Sequence, residues 1–148
     1  MYGDWLANLA VVAATAVAVT LCVLLHYEGL VVMSQRLTQH RGHRRMKVLF
    51  GIFAVIGLHT VEIWVFGLAY WLLQSWPALG HIAGESAAHI FDSVYFSAIT
   101  FTTVGYGDVA PVGSIRFLAG TEALTGFVLI AWSASFTYLE MEKFWRQP

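Results

Sequence analysis

Thr102-Thr103-Val104-Gly105-Tyr106-Gly107-Asp108 is the stretch that decides the fold of this chain. Its two glycines stand at alternate positions, and glycine adopts positive φ angles without the steric cost that a Cβ atom brings. A backbone that alternates between right- and left-handed conformations turns successive carbonyl groups towards the same side. We therefore expect residues 103–107 to present a row of backbone oxygens, which suits a cation that has lost its water.

The composition is that of a membrane protein. Of the 148 residues, 58% are hydrophobic and 11% are charged, whereas soluble domains carry about 25% charged residues. A formal net charge of −1 gives no indication of nucleic-acid binding. Cys22, the only cysteine, lies in an apolar run, so we expect a buried, unreactive thiol and no intrachain disulfide. These features predict one membrane domain.

The first apolar run extends from Leu6 to Leu25 and carries no charge, which is long enough for a helix to cross a bilayer. A cleaved signal peptide is the alternative interpretation. The residues before the run include an acid, Asp4, and no base, which argues against a signal peptide. We therefore predict that residues 1–33 contain an additional N-terminal transmembrane helix.

A basic segment follows, from Ser34 to Lys47, with five of the eight Lys and Arg residues and no acid. The positive-inside rule predicts that residues 34–47 form a cytoplasmic loop, where contact with anionic membrane lipids is expected. Nucleic-acid binding is a weaker alternative because the segment is short and has no aromatic residue. A voltage sensor is another, but sensor arginines recur inside a spanning helix.

The second apolar run, Val48 to Leu73, is 26 residues long, and as a helix it would exceed the ~30 Å hydrocarbon layer. Residues 75–88 contain proline and glycine and are predicted to form an irregular outer loop. Asp92 is then the predicted N-cap of a short helix over Ser93 to Phe101. This helix is too short to span a bilayer and leads directly into residues 102–108, so we predict that it is re-entrant.

The last apolar run, Phe117 to Leu139, predicts a third spanning helix, and residues 140–148 are predicted to form a cytoplasmic tail. With the basic segment inside, the N-terminus is placed outside the cell and the C-terminus in the cytoplasm. The same topology places residues 102–108 towards the outside. The predicted location is the plasma membrane, crossed several times.

The order of outer helix, pore helix, Thr-Val-Gly-Tyr-Gly and inner helix over residues 48–139 resembles the two-transmembrane pore domain of bacterial potassium channels. His-x-x-Glu at residues 59–62 and Glu-Ala-x-x-Gly at 122–126 also resemble a group of small bacterial three-helix ion-channel proteins. The resemblance implies an all-α membrane protein with three transmembrane helices, a re-entrant pore helix and a filter loop. It implies further that the chain assembles with itself into a homotetramer around one pore.

For the quoted stretch, the resemblance implies a potassium selectivity filter and no cofactor besides potassium ions. The filter residues would be Thr103, Val104, Gly105, Tyr106 and Gly107, with potassium bound at the first four. Voltage-gated relatives have an aromatic pair where Tyr95 and Phe96 stand, and the first of the pair hydrogen-bonds the filter aspartate. A Tyr95–Asp108 bond that supports the filter is therefore implied here.

Gly126 lies nineteen residues after Gly107, near the place where inner helices of this family have a hinge glycine. Close helix packing is an equally good explanation of a small residue there. If the family's register applies, four residues on one helical face lie towards the pore: Phe127, Ile130, Ala134 and Tyr138.

Glu62 and Glu122 lie inside apolar runs, where a charge costs at least about 3 kcal/mol. Counted from the basic ends of their helices, the two acids lie at nearly the same depth, and His59 is one turn from Glu62. We therefore expect a cluster of His59, Glu62 and Glu122, which acts either as a polar brace or as a pH-sensitive site. The brace is the favoured interpretation. His26 is expected at the inner membrane interface.

Several other functions remain as alternatives. A potassium transporter subunit normally needs four related pore loops in one chain, and this chain has one. A non-selective cation channel would share the fold. A membrane enzyme is disfavoured because a tight motif such as His-Glu-x-x-His is absent from the sequence. A metal site at His81, Glu85 and His89 is only weakly indicated.

Overall fold

Four helices make up the architecture in the computed structural model, which describes residues 5–39, 44–84 and 89–145. The helices are α1 (Trp5–Gln39), α2 (Arg44–Leu73), α3 (Ile90–Phe101) and α4 (Arg116–Trp145). Three of them, α1, α2 and α4, are long and apolar enough to cross a membrane, and α3 is a shorter apolar helix. The predicted all-α membrane architecture is therefore confirmed.

The short helix α3 packs against both α2 and α4, and α1 also packs against α2 and α4. Two glycines permit the close approach of α3. A Cβ atom on Gly67 of α2 would lie 2.9 Å from the Cα atom of Val94, and one on Gly126 of α4 would lie 2.1 Å from the carbonyl oxygen of Phe101. The geometry of Gly126 thus supports the close-packing interpretation, and a hinge role stays a prediction.

The helices extend further than the hydrophobic runs indicated. The prediction of a loop over residues 34–47 is wrong for most of its length, because α1 continues to Gln39 and α2 begins at Arg44. Residues 40–43 lie outside the described part of the chain. Similarly, α4 continues through most of the predicted tail to Trp145. Hydropathy detects only the part of a helix inside the bilayer, and Arg, Lys, Gln and Glu are good helix formers beyond it.

The chain on either side of α3 and residues 103–107 forms a small ribbon that the sequence did not reveal. Strand β1 (His81–Ala83) follows a 3₁₀ turn and pairs antiparallel with β2 (Ala110–Val112). The part of the predicted irregular loop that the structure describes is therefore largely ordered, while residues 85–88 lie outside it. The ribbon joins the chain before α3 to the chain after the filter.

The N-terminus of α3 is capped by His89, so the prediction of Asp92 as the N-cap is wrong. The His89 backbone N–H donates to the Asp92 carboxylate at 3.2 Å, and the His89 ring accepts from the N–H of Phe91. Asp92 thus lies in the first turn, where its carboxylate also interacts favourably with the positive end of the helix dipole. Histidine is an uncommon N-cap, which is why sequence preference selected the aspartate.

We expect Gly126→Ala to destabilise the protein, because its Cβ atom would overlap the Phe101 carbonyl group. Overpacking typically costs about 1–3 kcal/mol, which exceeds the ~1 kcal/mol that alanine gains over glycine inside a helix. Thermal unfolding in detergent measures the effect. Gly57→Ala and Gly120→Ala are matched controls, since their Cβ atoms would meet nothing within 4 Å. A gain in stability for Gly126→Ala like that of the controls would contradict the packing described here.

Candidate functional site

The backbone of residues 103–107 alternates in the sense that the sequence predicts. Thr103, Gly105 and Gly107 have φ angles of 59°, 54° and 85°. Thr103 is the only non-glycine residue with positive φ in the described parts of the chain, so Val104 and Tyr106 keep ordinary φ angles. The sequence identified the two glycines but gave no sign of the strained Thr103, because a β-branched residue rarely adopts this conformation.

This strained stretch is attached to the C-terminal end of α3 by backbone hydrogen bonds. The N–H of Thr103 donates to the Thr100 carbonyl at 2.9 Å, and that of Gly105 donates to the Ile99 carbonyl at 3.1 Å. The Thr102 hydroxyl donates to the Ala98 carbonyl at 2.7 Å. Carbonyl groups at a helix C-terminus have no hydrogen-bond partners within the helix. The N–H and hydroxyl groups of residues 102–105 supply those partners here.

Asp108 is held by Tyr95, whose hydroxyl donates to its carboxylate at 2.8 Å. The predicted contact is therefore confirmed. The hydrogen bond to Asp108 raises the pKa of Tyr95, so the phenol remains protonated and continues to donate. This bond joins the outer end of the filter stretch to the middle of α3.

A single chain leaves the filter stretch open on its sides. Val104 and Tyr106 are 55% and 73% exposed, and a Cβ atom on Gly105 or Gly107 would meet nothing within 4 Å. The predicted pore-lining side chains of α4 are also exposed: Phe127, Ile130, Ala134 and Tyr138. Their position in a pore stays a prediction.

Behind α3, Glu122 lies in a buried polar group that connects three helices. The Tyr70 hydroxyl of α2 donates to its Oε2 atom at 2.6 Å, and the Ser97 hydroxyl of α3 lies 2.5 Å from its Oε1 atom. Ser97 Oγ is also 2.9 Å from the Ile63 carbonyl oxygen. One hydroxyl proton cannot serve both oxygens, so the hydrogen bonds balance if Glu122 is protonated and donates to Ser97. The arrangement then fixes α3 between α2 and α4 with no net charge.

Glu62 lies in a second buried group, which brings in α1. Its two carboxylate oxygens each lie 2.8 Å from an imidazole Nδ1 atom, one of His26 on α1 and one of His59 on α2. On the far side of His26, the Nε2 atom lies 3.4 Å from Ser133 Oγ of α4, and the Trp132 ring is stacked at a tilt 5.1 Å away. The additional helix is therefore tied to the other two spanning helices by polar contacts.

The predicted cluster of His59, Glu62 and Glu122 is thus divided between two groups. The His59–Glu62 contact is confirmed, but each glutamate has its own partners, and the described hydrogen bonds do not join them. His26 is completely buried between helices, so its side chain does not extend towards a membrane surface. Its position near the inner interface stays a prediction.

Other predicted residues can be placed briefly. Cys22 is buried as expected, with its Sγ atom 3.7 Å from the Glu62 carbonyl oxygen. Of the three residues considered as a possible metal site, His89 caps α3, His81 is exposed on β1, and Glu85 lies outside the described residues. Sequence reasoning missed Tyr70 and Ser97. The only signal for Tyr70 was its spacing of eight from Glu62, which places both on one face of α2.

Comparison with known proteins identifies the class. Residues 46–142, more than half of the chain, match the family described as ion channel. The protein belongs to this ion channel family.

Relatives with curated names match about half of the chain. Protein LctB of Geobacillus stearothermophilus is 39% identical over 72 residues, which are 45% of this chain and 54% of the relative. Protein LctB of Bacillus caldotenax is 35% identical over 89 residues, 56% of this chain and 66% of the relative. Two pore potassium channel b of Oryza sativa subsp. japonica is 31% identical over 80 residues, 53% of this chain and 22% of the plant protein. The chain thus spans between half and two thirds of the bacterial relatives.

Removing the hydroxyl of Tyr95 should weaken the outer end of the filter without unfolding the protein. We expect Tyr95→Phe to keep normal assembly but to lose conductance faster during sustained opening, because Asp108 loses its hydrogen-bond donor. Current decay in planar bilayers measures this. Tyr27→Phe, at an exposed position on α1, is the control. Indistinguishable decay in Tyr95→Phe and the control would remove Tyr95 from this role.

Glu122→Gln should be nearly neutral for stability, because an amide can accept from Tyr70 and donate to Ser97 just as a protonated carboxyl group does. Glu122→Ala should cost about 1–3 kcal/mol, since it leaves two buried hydroxyls without their partner. A double-mutant cycle of Glu122→Ala with Tyr70→Phe should be strongly non-additive. A second cycle, of Glu122→Ala with Glu62→Gln, should be close to additive, because the two acids share no hydrogen-bond partner. Thermal unfolding in detergent measures both cycles. Equal coupling energies in the two cycles would show that Glu62 and Glu122 belong to one cluster.

Proposed function

We propose that the protein is a potassium-selective channel, in which the backbone oxygens of residues 103–106 replace the water around potassium ions. The observation that carries this proposal is the alternation of φ along residues 103–107 at the end of an apolar helix too short to span a bilayer. Such a stretch directs several carbonyl groups towards one line. No catalytic role and no cofactor beyond the conducted ion are part of the proposal.

The proposal requires four copies around one axis. One chain supplies a single row of carbonyl groups, whereas a dehydrated ion needs oxygens on all sides. The exposure of Val104 and Tyr106 supports this assembly, because an apolar side chain and a large ring are left without packing in one chain. In a homotetramer the Tyr106 ring would pack behind the filter, and the exposed face of α4 would line the inner cavity.

The orientation follows from charge. Arg36 lies in the last turn of α1, and Arg45 and Lys47 lie in the first turn of α2, so the positive-inside rule places these helix ends in the cytoplasm. The N-terminus is then outside the cell and the C-terminus inside, in a multi-pass protein of the plasma membrane. The basic helix ends contact anionic lipids of the inner leaflet.

The relatives support the choice of ion. The rice relative is named a potassium channel, and it overlaps more than half of this chain. A subunit of a potassium transporter and a non-selective cation channel remain the competing functions. They differ from the proposal in measurable ways, since transport would depend on an energy source or a second ion and a non-selective pore would pass sodium.

Reconstituted protein should carry potassium or rubidium into vesicles along a gradient, without ATP or a second ion. In mixed potassium and sodium, we expect a reversal potential close to the potassium equilibrium potential. Gly105→Ala should abolish this selectivity, because an alanine is strained at φ 54°, whereas Gly57→Ala should behave as the wild type. Equal permeability to both ions in the wild type would leave a non-selective pore, and flux that needs ATP would indicate a transporter.

A further inference from the structure

We propose that His26, His59 and Glu62 form a binding site for a transition-metal ion of the zinc type, which connects the additional helix α1 to the pore domain. The donor set consists of two imidazole nitrogens and one carboxylate oxygen, a combination that zinc commonly uses in proteins. The site is distinct from the residues 103–107 that the proposed function uses for potassium.

The three donors already converge. Both histidine Nδ1 atoms point at the same carboxylate, each 2.8 Å from one of its oxygens, and the ligand atoms of all three residues lie within 4.8 Å of one another. In a tetrahedral zinc site with bonds of ~2.0–2.2 Å, neighbouring donor atoms are separated by roughly 3.4 Å. The side chains would therefore need only small rotations, and the two helices would not have to move apart.

For one of the two histidines, the surroundings provide the hydrogen-bond acceptor that a metal-bound histidine needs. A histidine that binds through Nδ1 carries its proton on Nε2 and usually donates it to a fixed acceptor. Ser133 Oγ lies 3.4 Å from His26 Nε2 and can accept that proton. The Nε2 atom of His59 is buried and has no hydrogen-bond partner among the described residues. Of the two histidines, His26 is therefore the one whose orientation a second contact fixes.

A route to the site is present between α2 and α4. A groove of about 420 Å³ is lined by His59 and Ser133 and extends past Ile130 and Ala134 to Tyr138. Under the proposed function, the last three of these residues border the inner cavity of the channel, so an ion could enter the groove from the cytoplasmic side. This entry route rests on the proposed function, but the donor geometry does not.

Charge decides which ion the site would hold. Glu62 supplies one negative charge, and the neighbouring titratable groups of the packed helices are Cys22 on α1 and Tyr70 and Glu122 on α2 and α4. Two imidazoles beside one carboxylate favour a borderline metal such as zinc over calcium or magnesium, which prefer oxygen ligands only. Three protein donors leave a fourth position for water.

The test uses the full-length protein in detergent after removal of metal with EDTA. Because other histidines could bind metal, the background is a variant in which His40, His43 and His81 are changed to glutamine. Titration with cobalt(II) should give the visible absorption of a tetrahedral site at one ion per chain, and zinc should displace the cobalt. Zinc should also raise the temperature of thermal unfolding, because it binds only the folded arrangement of α1 and α2.

Two variants identify the ligands. Glu62→Gln and His26→Gln should each weaken cobalt binding by at least about tenfold, whereas Cys22→Ser should leave the cobalt spectrum unchanged. The absence of a tetrahedral cobalt spectrum in the background protein would overturn the proposal without any variant. Binding that survives both Glu62→Gln and His26→Gln, or that disappears with Cys22→Ser, would also overturn this assignment of ligands.

Discussion

The rest of the structure holds residues 103–107 in a backbone conformation that the Thr103 side chain resists. Thr103 has a positive φ angle although it is β-branched, and it stands between the end of α3 and the two glycines of the filter stretch. The hydrogen bonds to Ile99 and Thr100 at its start and the Tyr95–Asp108 bond at its end stabilise this conformation. The conformation of residues 103–107 is therefore only as well defined as the position of α3.

The position of α3 depends in turn on contacts that admit little movement. Gly126 lets α4 touch the backbone of Phe101, and Gly67 lets α2 touch that of Val94. Between these contacts, Glu122 joins Tyr70 and Ser97 in one buried group. Because protein interiors resist both cavities and overlap, a change at any of these contacts is expected to reach the filter through the end of α3.

The sequence predicted the features that depend on neighbours along the chain. The alternating glycines, the three apolar runs and the short helix before the filter are local patterns, and each is present in the structure. The ends of the helices were misplaced because hydropathy does not detect helical residues in water. The β1–β2 ribbon was missed because strands of three residues, one of them containing Pro111, carry almost no pattern.

The buried polar groups show a second limit of prediction from the sequence. Counting residues along a helix gives the depth of Glu62 and Glu122 but not the direction in which each side chain points around the helix axis. Partners such as Ser97 on another helix follow from that direction. The same holds for His26, since its contacts with Glu62 and Ser133 depend on the direction of its side chain around α1. Depth could be predicted from the sequence, and direction needed the structure.

The contact between His26 and Glu62 also bears on how the protein enters the membrane during synthesis. Segments that insert in chain order place α1 in the bilayer before α2, so His26 is already present when the acidic residue of α2 arrives. An acid in the hydrocarbon layer costs several kcal/mol when it has no partner, so a partner on the preceding helix would lower this cost. Glu122 comes after Tyr70 and Ser97 in the chain, so both of its partners precede it. In such an order of insertion, the additional helix would supply the first partner for the acid of the segment that follows it.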